Sequence, residues 1–159
     1  MIRHAEPEDA KGIHDVALKS WKDTYSHILT EETIEDTIND WYSIEDLRKQ
    51  TKHPVFYVAE VEEDLVGFVH ITLEDQEATL HRIYIDPDYQ GQGIGSRLYE
   101  KAEEEIREYA DKVKLEVFAE NRKGNNFYEK EGFKEEKTEE INFKGQKAMQ
   151  KVLIKNLDN

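Results

Sequence analysis

Between Val55 and Ile85 three runs rich in branched and aromatic residues follow one another: VFYVAEV at 55–61, LVGFVHITL at 65–73 and ATLHRIYI at 78–85. Short Glu/Asp breaks separate them, which is the signature of an antiparallel meander. Immediately afterwards the period changes. Ile94, Leu98, Ala102 and Ile106 recur every fourth residue, which predicts an amphipathic helix over 93–109 with Glu100, Glu103, Glu104, Glu105 and Glu108 on its solvated side.

The rest of the chain is read around this centre. Ile2 to His4 reads as a short strand, and Pro7 sits near a helix start, where a missing N–H costs nothing. Ile13, Val16, Ala17 and Trp21 recur at helical spacing, so a helix is expected over 8–26. A second is expected over 31–42, with Thr30 as N-cap and Glu31 and Glu32 in its positive first turn. Ser43 and Asp46 resemble a shortened capping box for a third, ending before His53-Pro54. Beyond the amphipathic helix, Val113 to Phe118 reads as a strand and 122–131 as a short helix. INF at 141–143 and AMQKVLI at 148–154 close the chain as a hairpin around Lys144-Gly145-Gln146. Helices first, then a meander, then one strand–helix–strand crossover define a mixed α+β sheet. The 159 residues, with no repeat or Gly/Ser linker, suit one domain over 1–159.

Charge narrows the function. With 22 basic against 36 acidic residues the formal charge is −14, which repels phosphate backbones and anionic lipid, so neither nucleic acid nor a membrane surface is expected as partner. The absence of cysteine removes disulfides, thiolate zinc sites and a Cys nucleophile, and fits a reducing cytoplasm. MIRHAEPEDA lacks an apolar leader region, and no apolar run is long enough to span a bilayer, so a soluble cytoplasmic protein is expected. The six histidines show no His-x-His or His-Glu-x-x-His spacing, and no metal is expected.

The chemistry concentrates in Asp86-Pro87-Asp88-Tyr89-Gln90-Gly91-Gln92-Gly93-Ile94-Gly95-Ser96, between a strand and the amphipathic helix. Alternate glycines aim successive N–H groups outward while the helix adds its positive end, a cradle suited to a pyrophosphate. Gly95-Ser96-Arg97 lacks the Gly-Lys-Ser/Thr ending of a P-loop, and Gly91-x-Gly93-x-Gly95 is not the dinucleotide spacing Gly-x-Gly-x-x-Gly. Standing alone, the segment is also compatible with an ordinary glycine-rich turn.

Gln90-x-x-Gly93-x-Gly95 after a strand ending Tyr84-Ile85-Asp86-Pro87, followed by Asn121 and by Asn126-Phe127-Tyr128-Glu129-Lys130-Glu131-Gly132-Phe133, resembles the GCN5-related N-acetyltransferase family. The resemblance covers most of the chain. It implies a central, mostly antiparallel twisted sheet of six to seven strands with helices on both faces, and acetyl-CoA as co-substrate. It implies that the CoA pyrophosphate lies on Gln90, Gly91, Gln92, Gly93, Ile94, Gly95 and Ser96, and that the pantetheine arm pairs with the backbone of Ile83, Tyr84 and Ile85. It further places Asn121, Asn126 and Lys130 toward the cofactor and Tyr128 beside the sulfur as general acid. A Tyr128 that merely packs on the sheet is the plainer reading. Gly124 departs from the family's usual alanine.

Direct transfer in a ternary complex follows from the lack of cysteine. Counting back from Ile85, the family's usual glutamate falls at Thr79, which cannot act as base; His81, on the same strand face, is the candidate, with water or another carboxylate as the alternative. A two-residue turn at Asp75-Gln76 would pair Glu74 with Glu77, Thr72 with Thr79 and His70 with His81. For the acceptor, Ser20-Trp21-Lys22-Asp23-Thr24-Tyr25 with Thr30-Glu31-Glu32 resembles the branch of the family that includes polyamine N-acetyltransferases. Trp21 and Tyr25 lie four apart on one helix face, followed by Glu31, Glu32, Glu35 and Asp36, groups suited to a cationic amine; they also fit as core residues and an acidic helix start. Trp21, Tyr25, Glu31, Glu32 and His70 are the expected acceptor-site residues. Acetylation of protein N-termini, lysines or an antibiotic amine, and a CoA-binding sensor without turnover, are the competing functions. A homodimer through sheet edges is compatible with the family.

Overall fold

A computed structural model describes residues 1–157. Strands and helices alternate as β1 (Ile2–His4), α1 (Ala10–Tyr25), α2 (Glu31–Trp41), α3 (Ile44–Gln50), β2 (Val55–Val61), β3 (Asp64–Glu74), β4 (Glu77–Ile85), α4 (Ile94–Ile106), β5 (Lys112–Phe118), α5 (Arg122–Lys130), β6 (Lys134–Phe143) and β7 (Gln146–Asn156). The strands form one seven-stranded sheet in the order β1-β2-β3-β4-β5-β7-β6. It is mostly antiparallel, with β4 and β5 parallel, as the α+β reading required.

The caps are those the sequence announces. Thr30 accepts a hydrogen bond from the N–H of Thr33, and Ser43 from that of Asp46. Three hairpins turn in two residues, at Glu62-Glu63, Asp75-Gln76 and Lys144-Gly145, all with positive φ at both positions. That backbone matches the twist of the flanking strands.

The chain divides into two compact units, Met1–Thr72 with Arg82–Glu105, and Leu73–His81 with the residues from Ile106 onward. In the first unit the pleat sorts side chains onto opposite faces of the sheet. Phe56 stacks on Phe68 at 5.9 Å, and Phe68 meets Tyr84 edge-on at 5.7 Å, on the face covered by α1 to α3. The alternate residues face α4: Lys101 lies over the Tyr57 ring at 5.7 Å, and a Cβ on Gly67 would sit 3.2 Å from Leu98. Helices therefore cover both faces here. In the second unit β5 pairs with β7 from Lys112↔Asn156 to Phe118↔Gln150, and β6 pairs with β7 out to Phe143↔Gln146.

Two expectations are corrected. β6 begins at Lys134 rather than at Ile141, because an edge strand needs only one hydrogen-bonded neighbour and tolerates charge at every exposed position. Glu103, expected on the solvated side of α4, is buried and accepts a hydrogen bond from Tyr99 Oη at 2.9 Å. The β3–β4 turn at Asp75-Gln76 places Glu74 beside Glu77, and beyond the end of β4 the Asp86 N–H donates to Val66 O at 2.8 Å.

Candidate active site

The segment joining β4 to α4 is anchored before it opens. Asp86, 6% exposed, accepts from the Asp88 N–H at 3.0 Å and from Lys19 Nζ at 3.2 Å. Its hydrogen bond raises the lysine's pKa. The carbonyl of Ile85 accepts from Ser20 Oγ at 3.1 Å and Gln90 Nε2 at 3.2 Å, so α1 and the loop fix the end of β4 together. Gly91 and Gly93 then adopt φ of 80° and 79°. A Cβ on either would meet nothing within 4 Å, so the backbone conformation, and not crowding, demands glycine there. Arg97 folds back to donate from Nε to Gly93 O and from Nη2 to Gln92 O, both at 3.4 Å. Loop carbonyls are thereby occupied, and a positive charge stands at the helix start on a chain of charge −14.

β4 is paired with β5 only from Glu77↔Lys112 to Thr79↔Lys114. Among the described residues, Ile83, Tyr84 and Ile85 lie beyond that ladder.

On the α1–α3 face, aromatic rings converge. Trp21 packs on Tyr25 at 4.6 Å and meets Trp41 edge-on at 5.8 Å. Its Nε1 donates to Tyr84 Oη at 3.1 Å, and Tyr42 Oη donates to the same oxygen at 3.2 Å. Burial raises the Tyr42 pKa well above its usual value. The Arg82 guanidinium lies 4.6 Å over the Tyr42 ring and is held by Gln50 Oε1 at 2.8 Å. Trp21 and Tyr25 are 2% and 6% exposed, whereas Trp41 is 42% exposed and presents the open ring. Trp41 and Tyr42 were missed from the sequence; the signal was two adjacent aromatics at the end of α2, continuing the stripe of Ile34 and Ile38 at the spacing of the next turn. Glu31 and Glu35 share Lys22, each at 3.6 Å, and Glu32 is exposed. His70 is buried, stacks on Phe56 at 4.6 Å and lies with Nε2 2.9 Å from His53 Nδ1. His81 is exposed.

In the second unit Asn121 N-caps α5, its Oδ1 accepting from the Gly124 N–H at 2.9 Å. A Cβ on residue 124 would come within 2.6 Å of the Asn121 amide, so glycine in place of alanine makes room for this cap. Asn125 Nδ2 donates to Phe118 O and Asn121 O at 3.1 and 2.7 Å, tying the helix to β5. Tyr128 is half-buried between Phe127 and Phe133, with centroids at 5.5 and 5.8 Å, whereas Asn126 and Lys130 are exposed. Among the described residues no three His, Asp or Glu side chains gather as a metal site, and no helix is long and apolar enough to cross a membrane.

A glycine cradle at a helix start, following a strand whose last residues run past their parallel neighbour, is the architecture of an acyl-CoA-dependent transferase, and residues 14–133 match the acetyltransferase (GNAT) family. The chain belongs to that family: it is an N-acetyltransferase, with acetyl-CoA as co-substrate. It is 34% identical over 149 residues to the spermidine N(1)-acetyltransferase of Thermoplasma acidophilum, covering 89% of this chain and 92% of that protein. The crystal structure of PaiA N-acetyltransferase from Thermoplasma acidophilum in complex with coenzyme A superposes with a TM-score of 0.85 at 30% identity, covering 98% of each chain. The ribosomal-protein-S18-alanine N-acetyltransferase of Escherichia coli shares the fold, with a TM-score of 0.73 at 21% identity over 100% of this chain and 94% of that one.

Proposed function

We propose that this protein moves the acetyl group of acetyl-CoA directly onto a primary amine of a small polycation of the spermidine kind, the two units working as one domain. The observation that carries the cofactor side is the left-handed Gly91/Gly93 cradle opening α4, with Arg97 folded onto its carbonyls. The pyrophosphate is assigned to the amides of residues 90–96 and the pantetheine arm to the main chain of Ile83 to Ile85. Support for the acceptor comes from the spermidine-acetylating relative and from the open Trp41 ring beside acidic α2, a setting that favours a cation through its π face. Trp21 and Tyr25 act from beneath, fixing Trp41.

The chemistry then has named parts. His81 is assigned the proton of the attacking ammonium, so that the neutral amine forms the N–C bond while the carbonyl electron pair moves to oxygen. When the pair returns and the C–S bond breaks, Tyr128 supplies the thiolate proton and takes in its place the surplus proton of the newly acylated nitrogen. Asn121 is assigned to the pantetheine, and no acetyl-cysteine can form because the chain has none.

A panel of amines with acetyl-CoA, read by CoA release, tests the reading. Spermidine and spermine should be turned over with higher kcat/KM than peptides or aminoglycosides. Activity confined to peptide N-termini, lysines or antibiotic amines would overturn it, and a protein that binds CoA but releases none with any amine would be a sensor.

A further inference from the structure

The hydroxyl of Tyr84 has its direction dictated by its neighbours. Trp21 Nε1, an indole N–H that can only donate, lies 3.1 Å from the Tyr84 oxygen. Tyr42 Oη lies 3.2 Å from it. Tyr42 is 3% exposed, and the Tyr84 oxygen is the one acceptor within reach of its hydroxyl among the described residues. A buried O–H turned anywhere else would be stranded without an acceptor, so Tyr42 donates to Tyr84. Burial raises the Tyr42 pKa, which keeps that donor protonated. The Tyr84 oxygen then accepts from Tyr42 and from Trp21, whose N–H also bonds the Tyr42 hydroxyl. Its own proton remains, and no described side chain accepts it.

The sign of the surroundings identifies what should. Two donor dipoles end on the Tyr84 oxygen with their positive ends, and the Arg82 guanidinium sits 4.6 Å over the Tyr42 ring. An ammonium at the exposed end of this array would be repelled, whereas an oxygen gaining negative charge would be stabilised. Tyr84 also lies on β4 between Ile83 and Ile85, the backbone assigned above to the acyl donor, and the inference rests on that assignment. We propose that Tyr84 donates a hydrogen bond to the acyl oxygen as negative charge builds on it during transfer. The step balances without moving the tyrosine proton. The amine lone pair forms the N–C bond, the carbonyl π pair becomes the oxyanion that Tyr84 holds, and that pair returns as the C–S bond breaks, the nitrogen losing one proton as the thiolate gains one. A hydroxyl oxygen that already accepts from two donors is held from taking a proton, so the same network bars Tyr84 from acting as the general base.

Tyr84→Phe keeps the ring contact with Phe68 and removes the hydroxyl, both its own proton and the oxygen that accepts from Trp21 and Tyr42. It should lower kcat by about 10- to 100-fold. KM for acetyl-CoA and for the amine should change less than about twofold and the limbs of the pH–rate profile should stay in place, while the melting temperature falls by several degrees because Tyr42 and Trp21 lose their acceptor. Slow hydrolysis of acetyl-CoA without amine passes through the same oxyanion and should fall by the same factor. Trp21→Phe, which removes one fixing donor, should cost several-fold in both reactions and keeps the test alive should Tyr84→Phe not fold. Full kcat in Tyr84→Phe overturns the proposal. So does a loss confined to the amine KM with hydrolysis untouched, which would make Tyr84 an acceptor-binding group. Should the wild type acetylate no amine, the functional reading fails, and the hydrolysis arm still decides Tyr84 by itself.

Discussion

β2 and β6 are both strands of this sheet, yet the first five residues of β2 are buried while β6 is exposed at its first five. The difference lies in what covers each strand. Phe56 and Val58 lie under α1 to α3 and Tyr57 under α4, whereas β6 is an edge strand whose ladder is made with β7 alone. A strand covered on both faces must be apolar at successive positions. An edge strand need be neither apolar nor alternating, because backbone pairing and a charged, association-resistant surface suffice. The energy of folding is therefore concentrated around β2 and β3.

The largest expected effect tests that concentration. Phe68 is fully buried between Phe56 and Tyr84, and Phe68→Ala should cost about 3–5 kcal/mol in urea unfolding. Glu136→Ala on β6, at an exposed position, should stay within about 0.5 kcal/mol. Comparable losses at both places would show that the edge hairpin is as tightly coupled to folding as the meander.

The same contrast explains what could be read from the sequence. The meander was legible because burial forces branched and aromatic runs, and the cofactor loop because a left-handed backbone forces Gly91 and Gly93. The first seven residues of β6, KEEKTEE, carry no such constraint and read as a loop. The acceptor side was half legible. Trp21 and Tyr25 stood out by spacing, but Tyr42 reaches Tyr84 across 42 positions, a contact that only the fold creates.

A middle-sized effect comes from the turns. Asp75-Gln76 holds two ordinary residues at φ of 50° and 69°, whereas Lys144-Gly145 places glycine at its φ of 87°. Gln76→Gly should stabilise by about 1 kcal/mol, since the left-handed conformation disfavours a side chain by about that amount. Gly145→Ala should destabilise by a similar amount, with no steric share, because an added Cβ would meet nothing within 4 Å. A neutral Gln76→Gly would mean that the turn relaxes elsewhere in the hairpin.

The smallest effect separates two ion pairs by pH. In the first unit Arg3 donates from two guanidinium nitrogens to Asp9 at 2.8 Å each and also bonds Glu60. Burial alone would push the Asp9 carboxyl up, but the Arg3 hydrogen bonds and the Glu6 N–H outweigh it and hold the carboxyl below its usual 3.8. A carboxylate depressed in the folded state contributes stability that is present above its unfolded pKa and is lost as pH falls through the folded value. Arg3→Ala should therefore be less stable than wild type at neutral pH. The gap should close as the pH drops below the usual carboxylate value, because protonated Asp9 no longer distinguishes the two proteins. In the second unit the Thr138 hydroxyl and then Lys151 lower the pKa of Glu135, but this carboxylate is fully solvated and screened. Lys151→Ala should leave the acid unfolding curve where it was. An acid limb displaced equally by the two substitutions would mean that burial does not set the strength of these pairs, and the contrast between the covered and the exposed halves of the sheet would then be one of apolar packing alone.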